Sequence, residues 1–148
     1  MLSNTLFAFI NRDLDKLYLE IESYEKEENL WKVEANILNS TGNLCLHLLG
    51  NLNFYIGSNL GNTGYIRERD LEFSKKDVPR AQLLDEIRET QLMLQKTLVG
   101  LPDSKMNENY PLEVFGHPMT HEYFFIHLAT HLSYHLGQVN YHRRILDV

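Results

Sequence analysis

The chain has 148 residues, a formal net charge of −6 and a single cysteine, Cys45. This length fits one domain, residues 1–148, which can bury about two-thirds of its unfolded surface without a disulfide or a structural metal. The acidic excess and the scattered lysines and arginines argue against nucleic acid as a partner. A lone cysteine excludes an intramolecular disulfide and a cysteine-rich zinc site, and it is typical of a cytoplasmic protein.

The N-terminal apolar run lacks the flanking features of a targeting segment. In "MLSNTLFAFINRDLDK" no basic region precedes the apolar positions and no small-residue cleavage site follows them, so we expect no signal peptide. No apolar stretch in the chain approaches the length of about 18 residues that a membrane helix needs. We therefore expect no membrane span.

Two helices are predicted in the first part of the chain. Apolar residues recur at intervals of three and four from about Ser3 to Lys26, which predicts the first helix. The second helix begins at Ser40 or Thr41, either of which can cap it, and it ends before the loop Gly57–Gly64. His47 lies on the apolar side of this second helix, so we expect its imidazole to face inward.

Two more helices are predicted, each after a long connection. The loop "SNLGNTGYIRERDLEFSKKDV" is first glycine-rich and then densely charged, which is typical of a surface connection that carries function. The third helix follows it, with Asp77 as its cap and Pro79 in its first turn, and ends at Gly100. A second irregular stretch contains one short extended piece, Leu112 to Phe115, before the last helix begins near Thr120. This pattern predicts an all-α four-helix bundle with long connecting loops.

The last helix carries a stripe of histidines. In "HLATHLSYHLGQ" a histidine recurs every four residues, and on a helical projection one narrow sector holds five side chains: His127, His131, His135, Gln138 and His142. Two imidazoles four residues apart can bind one metal ion, and an inward histidine on another helix would supply the third ligand. Hydrogen-bonded histidines without a metal explain the pattern about equally well.

The same segment argues against a peptidase. The spacing of "HLSYH" is that of the zincin motif HExxH, but Leu132 occupies the position where the general-base glutamate must stand. A metal site here would therefore serve another chemistry.

The chain resembles the DinB/YfiT-like metalloenzyme superfamily in three segments, whose order and spacing match over nearly its full length. They are "NLCLHLLGNLNFYIG", the charged "GYIRERDLEF", and "HLATHLSYHLGQVNYHRRIL" with its H-x-x-x-H-x-G-Q motif. The resemblance implies a four-helix bundle with a divalent metal bound by His47, His131 and His135, and it gives His127 no ligand role. In that motif we expect Gly137 to permit close helix approach and Gln138 to hydrogen-bond near the site.

The resemblance also implies a reaction class. Three neutral ligands leave a divalent ion with an open position, where a bound water or thiol loses its proton near neutral pH. Members of the superfamily include S-transferases and isomerases that use low-molecular-weight thiols such as bacillithiol or mycothiol. We therefore expect a zinc- or nickel-dependent enzyme, either a thiol S-transferase or a related transferase or hydrolase, that acts on a small-molecule substrate. The alternative is a non-enzymatic bundle that serves as a dimerisation or stress-associated binding module.

Several side chains are candidates for substrate contacts. A pocket between the second and fourth helices would be lined by Phe54, Tyr55 and Tyr134, although aromatic residues at helical spacing more often belong to the core. Arg67 and Arg69 would either contact an anionic substrate or form ion pairs with neighbouring acidic residues.

A homodimer is expected under either function, because the superfamily commonly pairs through helix faces. The apolar stripe around Leu6, Phe7 and Phe9 on the first helix is the candidate surface for this pairing.

Overall fold

A computed structural model describes residues 1–148, and the chain folds into helices without any β-strand. The six α-helices are α1 (Leu2–Glu22), α2 (Thr41–Leu52), α3 (Arg69–Ser74), α4 (Arg80–Leu98), α5 (Asp103–Met106) and α6 (His121–Leu146). A 3-10 turn, Glu27–Trp31, follows α1, and a π-helical turn, Asn53–Ser58, extends α2. The prediction of an all-α fold is confirmed.

The four long helices pack around one hydrophobic core. Helix α1 contacts α4 and α6, and α2 contacts the same two helices from the other side. The three- and four-residue spacing of α1 turns one complete stripe inward, which consists of Leu6, Ile10, Leu14, Leu17 and Ile21. The packing places α2 beside α6, so that side chains from these two helices can meet.

Helix α1 ends at Glu22, four residues before the predicted end at Lys26. The backbone N–H groups of Glu25 and Lys26 donate to the carboxylate of Asp147 instead of to helix carbonyls. The side chain of Asn29 donates to the same carboxylate at 2.8 Å. The chain's C-terminal end therefore supplies the partners that would otherwise lie in a further helical turn.

The predicted starts of α2 and α6 are confirmed, whereas the predicted cap of α4 is wrong. Ser40 accepts a hydrogen bond from Asn43 N at 3.2 Å, and Thr120 accepts one from Tyr123 N at 3.1 Å. Asp77 instead adopts a left-handed conformation with φ 57°, and α4 begins only at Arg80. The Arg80 backbone N–H is satisfied by a carboxylate oxygen of Glu27, so the N-terminus of α4 receives its partner from another segment.

The predicted extended piece Leu112 to Phe115 does not form a strand. It has no neighbouring strand to pair with, and the chain turns at Gly116 with φ 81°. The nearest β-like pairing is an isolated bridge between Asn109 and Thr120. Without a ladder of hydrogen bonds, residues of strand-like composition remain irregular.

Two surface properties follow from the fold. None of the helices combines the length and the apolarity that crossing a bilayer requires. The apolar stripe proposed for pairing is discontinuous, because Leu6 lies in the core whereas Phe9 is 50% exposed. The exposed part of that stripe is therefore smaller than the sequence suggested.

Candidate metal centre

The three histidines named as ligands converge between α2 and α6. The Nε2 atom of His131 lies 3.2 Å from that of His47 and 3.1 Å from that of His135. One ring nitrogen from each of the three residues lies within 4.8 Å of the other two. His47 is buried, and His131 and His135 are half-buried. The cluster therefore sits at the border of the core and could hold a metal ion.

Hydrogen bonds on the far side of two rings determine which nitrogens carry lone pairs. Nδ1 of His47 lies 3.1 Å from an Oε1 of Glu72, and Nδ1 of His135 lies 2.7 Å from Oε1 of Gln138. Because a carboxylate and an amide oxygen can only accept, both Nδ1 atoms donate. In its neutral form, each of these two rings then presents an unprotonated Nε2 to His131.

Two of the three nitrogen separations suit a shared metal ion. The Nε2 of His131 carries either one hydrogen or one lone pair. A hydrogen there could be donated to only one of the two facing lone pairs, and a lone pair to neither, so at least one of the two remains without a partner. Two nitrogens bound at about 2.0–2.1 Å to a tetrahedral zinc ion lie about 3.3 Å apart, close to the 3.2 and 3.1 Å that separate His131 Nε2 from the other two Nε2 atoms. These two distances and the facing lone pairs are those expected around a divalent ion, which imidazole nitrogens bind well.

Burial keeps two of the rings neutral. Removal from solvent, and then the proximity of His135 and His47, lowers the pKa of His131 to about 4. Burial also lowers the pKa of His135, against the opposing effect of its bond to Gln138. Both imidazoles are therefore uncharged at neutral pH, which is the form that binds a metal.

A buried ion pair lies behind His47. The Glu72 carboxylate, on α3, accepts hydrogen bonds from Nε and Nη2 of Arg67, each at 2.9 Å, in addition to the one from His47. Burial alone would raise the pKa of Glu72, but the hydrogen bonds from His47 and Arg67 and the charge of Arg67 outweigh it and lower the pKa. Glu72 is therefore an ionised group only 6% exposed.

The position of α3 depends on contacts with α2. The Asn43 amide donates to the backbone carbonyls of Glu72 and Lys75, at 3.0 and 2.8 Å. Gly50 faces the Glu72 side chain, and a Cβ atom at that position would collide with Oε2. The sequence did not single out Glu72, because it stands among other charges in "RERDLEF" and is not at a helical spacing from any histidine.

Of the two loop arginines considered for substrate contact or ion pairing, Arg67 forms an ion pair. Its guanidinium binds Glu72 and lies 5.6 Å from the ring centroid of Tyr55. Arg69 lies over the ring of Phe73, with 5.4 Å to the centroid. The Arg67 guanidinium is therefore largely buried and lies next to the three-histidine cluster.

The other histidines of the stripe lie outside the cluster. The ring of His127 stacks beside His131 with centroids 6.2 Å apart. His142 is buried, with Nδ1 2.7 Å from the Tyr24 hydroxyl and Nε2 2.8 Å from the Lys32 carbonyl oxygen. Sharing one angular sector of the helix therefore does not bring all of these histidines to one site.

Two expectations for the motif have opposite outcomes. Gln138 does hydrogen-bond at the site, through His135. The expected close helix approach at Gly137 is wrong, because a Cβ atom there would meet nothing within 4 Å.

The aromatic side chains named for a pocket do not share one environment. Tyr55 packs against Phe124 with ring centroids 4.9 Å apart, and Phe54 packs against Tyr55. Tyr134 is 67% exposed on the outside of α6, with its ring beside that of His135. Tyr55 belongs to the packed interior, so these three residues do not form a common lining.

The fold and the site define an all-helical protein with a three-histidine cluster that could hold a metal ion. Residues 12–147 match the model of a family described as "Protein of unknown function (DUF1572)". The chain therefore belongs to the DUF1572 family. Among curated proteins, none matches this sequence.

Proposed function

We propose that this chain is a divalent-metal-dependent enzyme of the DinB/YfiT-like superfamily. In this proposal α1, α2, α4 and α6 form its four-helix bundle, and His47, His131 and His135 bind zinc or nickel. The observation that carries the proposal is the convergence of three Nε2 atoms, two of which present lone pairs to the third.

The reaction class that we propose is thiol-dependent S-transfer to a small electrophile. A divalent ion with an open position would lower the pKa of a thiol or water bound there and so supply a nucleophile at neutral pH. The protein would direct the Nε2 atoms of the three imidazoles towards the ion and would keep His131 and His135 neutral. Because His131 and His135 are half-buried, a small molecule can approach the cluster from solvent.

Metal binding is tested on protein purified without a metal-affinity tag. We expect elemental analysis to find one zinc or nickel ion per chain in the wild type. His47→Ala, His131→Ala and His135→Ala should each lose it, whereas His127→Ala, a neighbouring histidine outside the cluster, should keep it. At a free metal concentration 100 times the Kd, binding would stabilise the fold by about 2.7 kcal/mol. A wild type without metal, whose thermal stability does not respond to added zinc or nickel, would refute the site.

The reaction class is tested separately with metal-loaded protein. A panel of low-molecular-weight thiols is combined with small electrophiles, and loss of free thiol is followed together with formation of the thioether product. We expect turnover by the wild type and by His127→Ala, and none by His131→Ala. Absence of turnover with every pair, despite a loaded metal, would refute S-transfer while leaving the metal site intact.

A further inference from the structure

We propose that Glu72 is a positioning residue for the metal centre, and that it acts on the metal through His47. This inference rests on the proposed metal site, and it adds a residue from α3 to a site otherwise built from α2 and α6. The contact that carries it is the 3.1 Å hydrogen bond between His47 Nδ1 and Glu72 Oε1.

The hydrogen bond fixes both the tautomer and the rotation of the His47 ring. A carboxylate accepts only, so Nδ1 must carry the proton, and the lone pair must then be on Nε2. The same bond holds the ring so that Nε2 points to the His131 Nε2 3.2 Å away. Carboxylate partners of this kind orient metal-binding histidines and make them more basic, and their loss typically costs 10- to 100-fold in metal affinity.

The surroundings of Glu72 keep it charged and in place. Arg67 binds both carboxylate oxygens, one through Nε and one through Nη2. Asn43 holds the backbone of α3 against α2 through the carbonyls of Glu72 and Lys75. A buried ion pair adds little net stability as a rule, because desolvation offsets the attraction, so its geometry is better explained by a role at the adjacent histidine.

Gly50 provides an independent test of the same contact. A methyl group at this position would collide with Oε2 of Glu72 and would lie 2.7 Å from its Cδ, although His47 and Arg67 already hold this carboxylate. Alanine at this position would therefore push the carboxylate away from His47 and disturb its bonds to Arg67. Alanine also favours a helix relative to glycine, so the cost of the substitution should arise at Glu72 and not in the backbone of α2.

The experiment measures zinc affinity by competition with a chromophoric chelator. We expect Glu72→Ala to lower the affinity by 10- to 100-fold. Glu72→Gln should fall between this variant and the wild type, because an amide oxygen still accepts from His47 but lacks the charge. Gly50→Ala should also bind zinc more weakly. Because the substitution disturbs a buried ion pair, its metal-free form should unfold at a lower urea concentration than the wild type, and zinc affinities are compared without urea, where the variant is folded.

Two matched controls keep the test specific. Glu68→Gln removes an exposed carboxylate from the same segment, and Gly137→Ala makes the same change as Gly50→Ala at a helical position with open space. Both should bind zinc like the wild type. If the wild type binds zinc and the Glu72 and Gly50 variants bind it equally well, the role of Glu72 is refuted. If the wild type binds none, the proposed metal site itself has failed.

A spectroscopic measurement separates positioning from a general loss of stability. Co²⁺ is added at saturating concentration to folded wild type and to folded Gly50→Ala, and the visible ligand-field spectrum is recorded. Displacement of the His47 ring should shift or weaken the bands in Gly50→Ala but not in Gly137→Ala. Identical spectra in all three proteins would overturn the proposal.

Discussion

Gln138 shows how a side chain outside the cluster can set the direction of one of its histidine rings. Its Oε1 lies 2.7 Å from Nδ1 of His135, which leaves the lone pair of that ring on Nε2, opposite. Glu72 makes the corresponding hydrogen bond to Nδ1 of His47, but Glu72 is buried and charged, whereas Gln138 is exposed and uncharged. Water can therefore replace part of its contribution, whereas water has little access to Glu72.

Replacement of Gln138 should weaken metal binding less than replacement of Glu72. We expect Gln138→Ala to lower zinc affinity by about tenfold, the smaller end of the range for partners of metal-binding histidines. The measurement is the same chelator competition, with Gln95→Ala, an exposed glutamine on α4, as the control. An unchanged affinity in Gln138→Ala would show that solvent fully substitutes for this amide.

The sequence predicted the histidines more readily than their partners, for a physical reason. His131 and His135 are four residues apart on one helix, so their proximity follows from helix geometry alone. Glu72 reaches His47 only because α3 docks on α2, which local spacing does not encode. His142 shows the converse error: it shares the angular sector, but it lies seven residues beyond His135, about 10 Å further along the axis.

At the scale of elements, the close approach of α2 to the 3-10 turn depends on Gly42. This glycine lies in the first turn of α2, against the face of the buried Trp31 ring. A Cβ atom there would lie 2.6–2.7 Å from three carbons of the indole. The indole is bulky and rigid, so it cannot move aside easily.

Gly42→Ala should therefore destabilise the fold. Overpacking of this kind typically costs about 1–3 kcal/mol, which exceeds the gain in helix propensity. Urea unfolding of the metal-free protein should show a lower midpoint with an unchanged slope. Gly137→Ala, which has open space, should be neutral or slightly stabilising. Equal midpoints for Gly42→Ala and the wild type would contradict the packing described.

Long elements were predictable and short ones were not. Helices α1, α2, α4 and α6 each repeat apolar positions over at least 12 residues, so the helical period is visible in the sequence. Helices α3 and α5 have six and four residues, too few to show a period. The end of α1 was not predictable either. The chain leaves the helix where the backbone N–H of Glu25 donates to Asp147, which lies 122 positions away in the sequence.

At the scale of the whole molecule, His142 joins segments from both ends of the chain. Its ring hydrogen-bonds to the Tyr24 hydroxyl and to the carbonyl oxygen of Lys32. The Tyr24 hydroxyl also hydrogen-bonds to Thr41, the first residue of α2. This buried network therefore ties α6 to α2 and to the connection that precedes it.

Acid should weaken this network. Burial lowers the pKa of His142 below its ordinary value of 6.5, although the bond to Lys32 and the charge of Asp147 oppose the shift. The folded state therefore binds fewer protons than the unfolded state as pH falls through 6.5. The contribution of a neutral His142 to stability is complete above that pH and is lost progressively below it.

We expect the free energy of unfolding of the metal-free protein to decrease from pH 7.5 to pH 5, and to decrease less in His142→Gln. The comparison isolates this residue, because both proteins retain His131 and His135. Urea titrations at several pH values measure the difference. Parallel curves for the two proteins would show that His142 does not contribute to the acid sensitivity.

The central claim is that imidazoles from two helices bind one metal ion, and anomalous diffraction tests it most directly. Crystals of the zinc- or nickel-loaded protein would be measured on both sides of the absorption edge of the metal. We predict one strong anomalous peak per chain, at about 2.0–2.1 Å from Nε2 of His47, His131 and His135. A peak elsewhere, or none near these three nitrogens at saturating metal, would contradict the account.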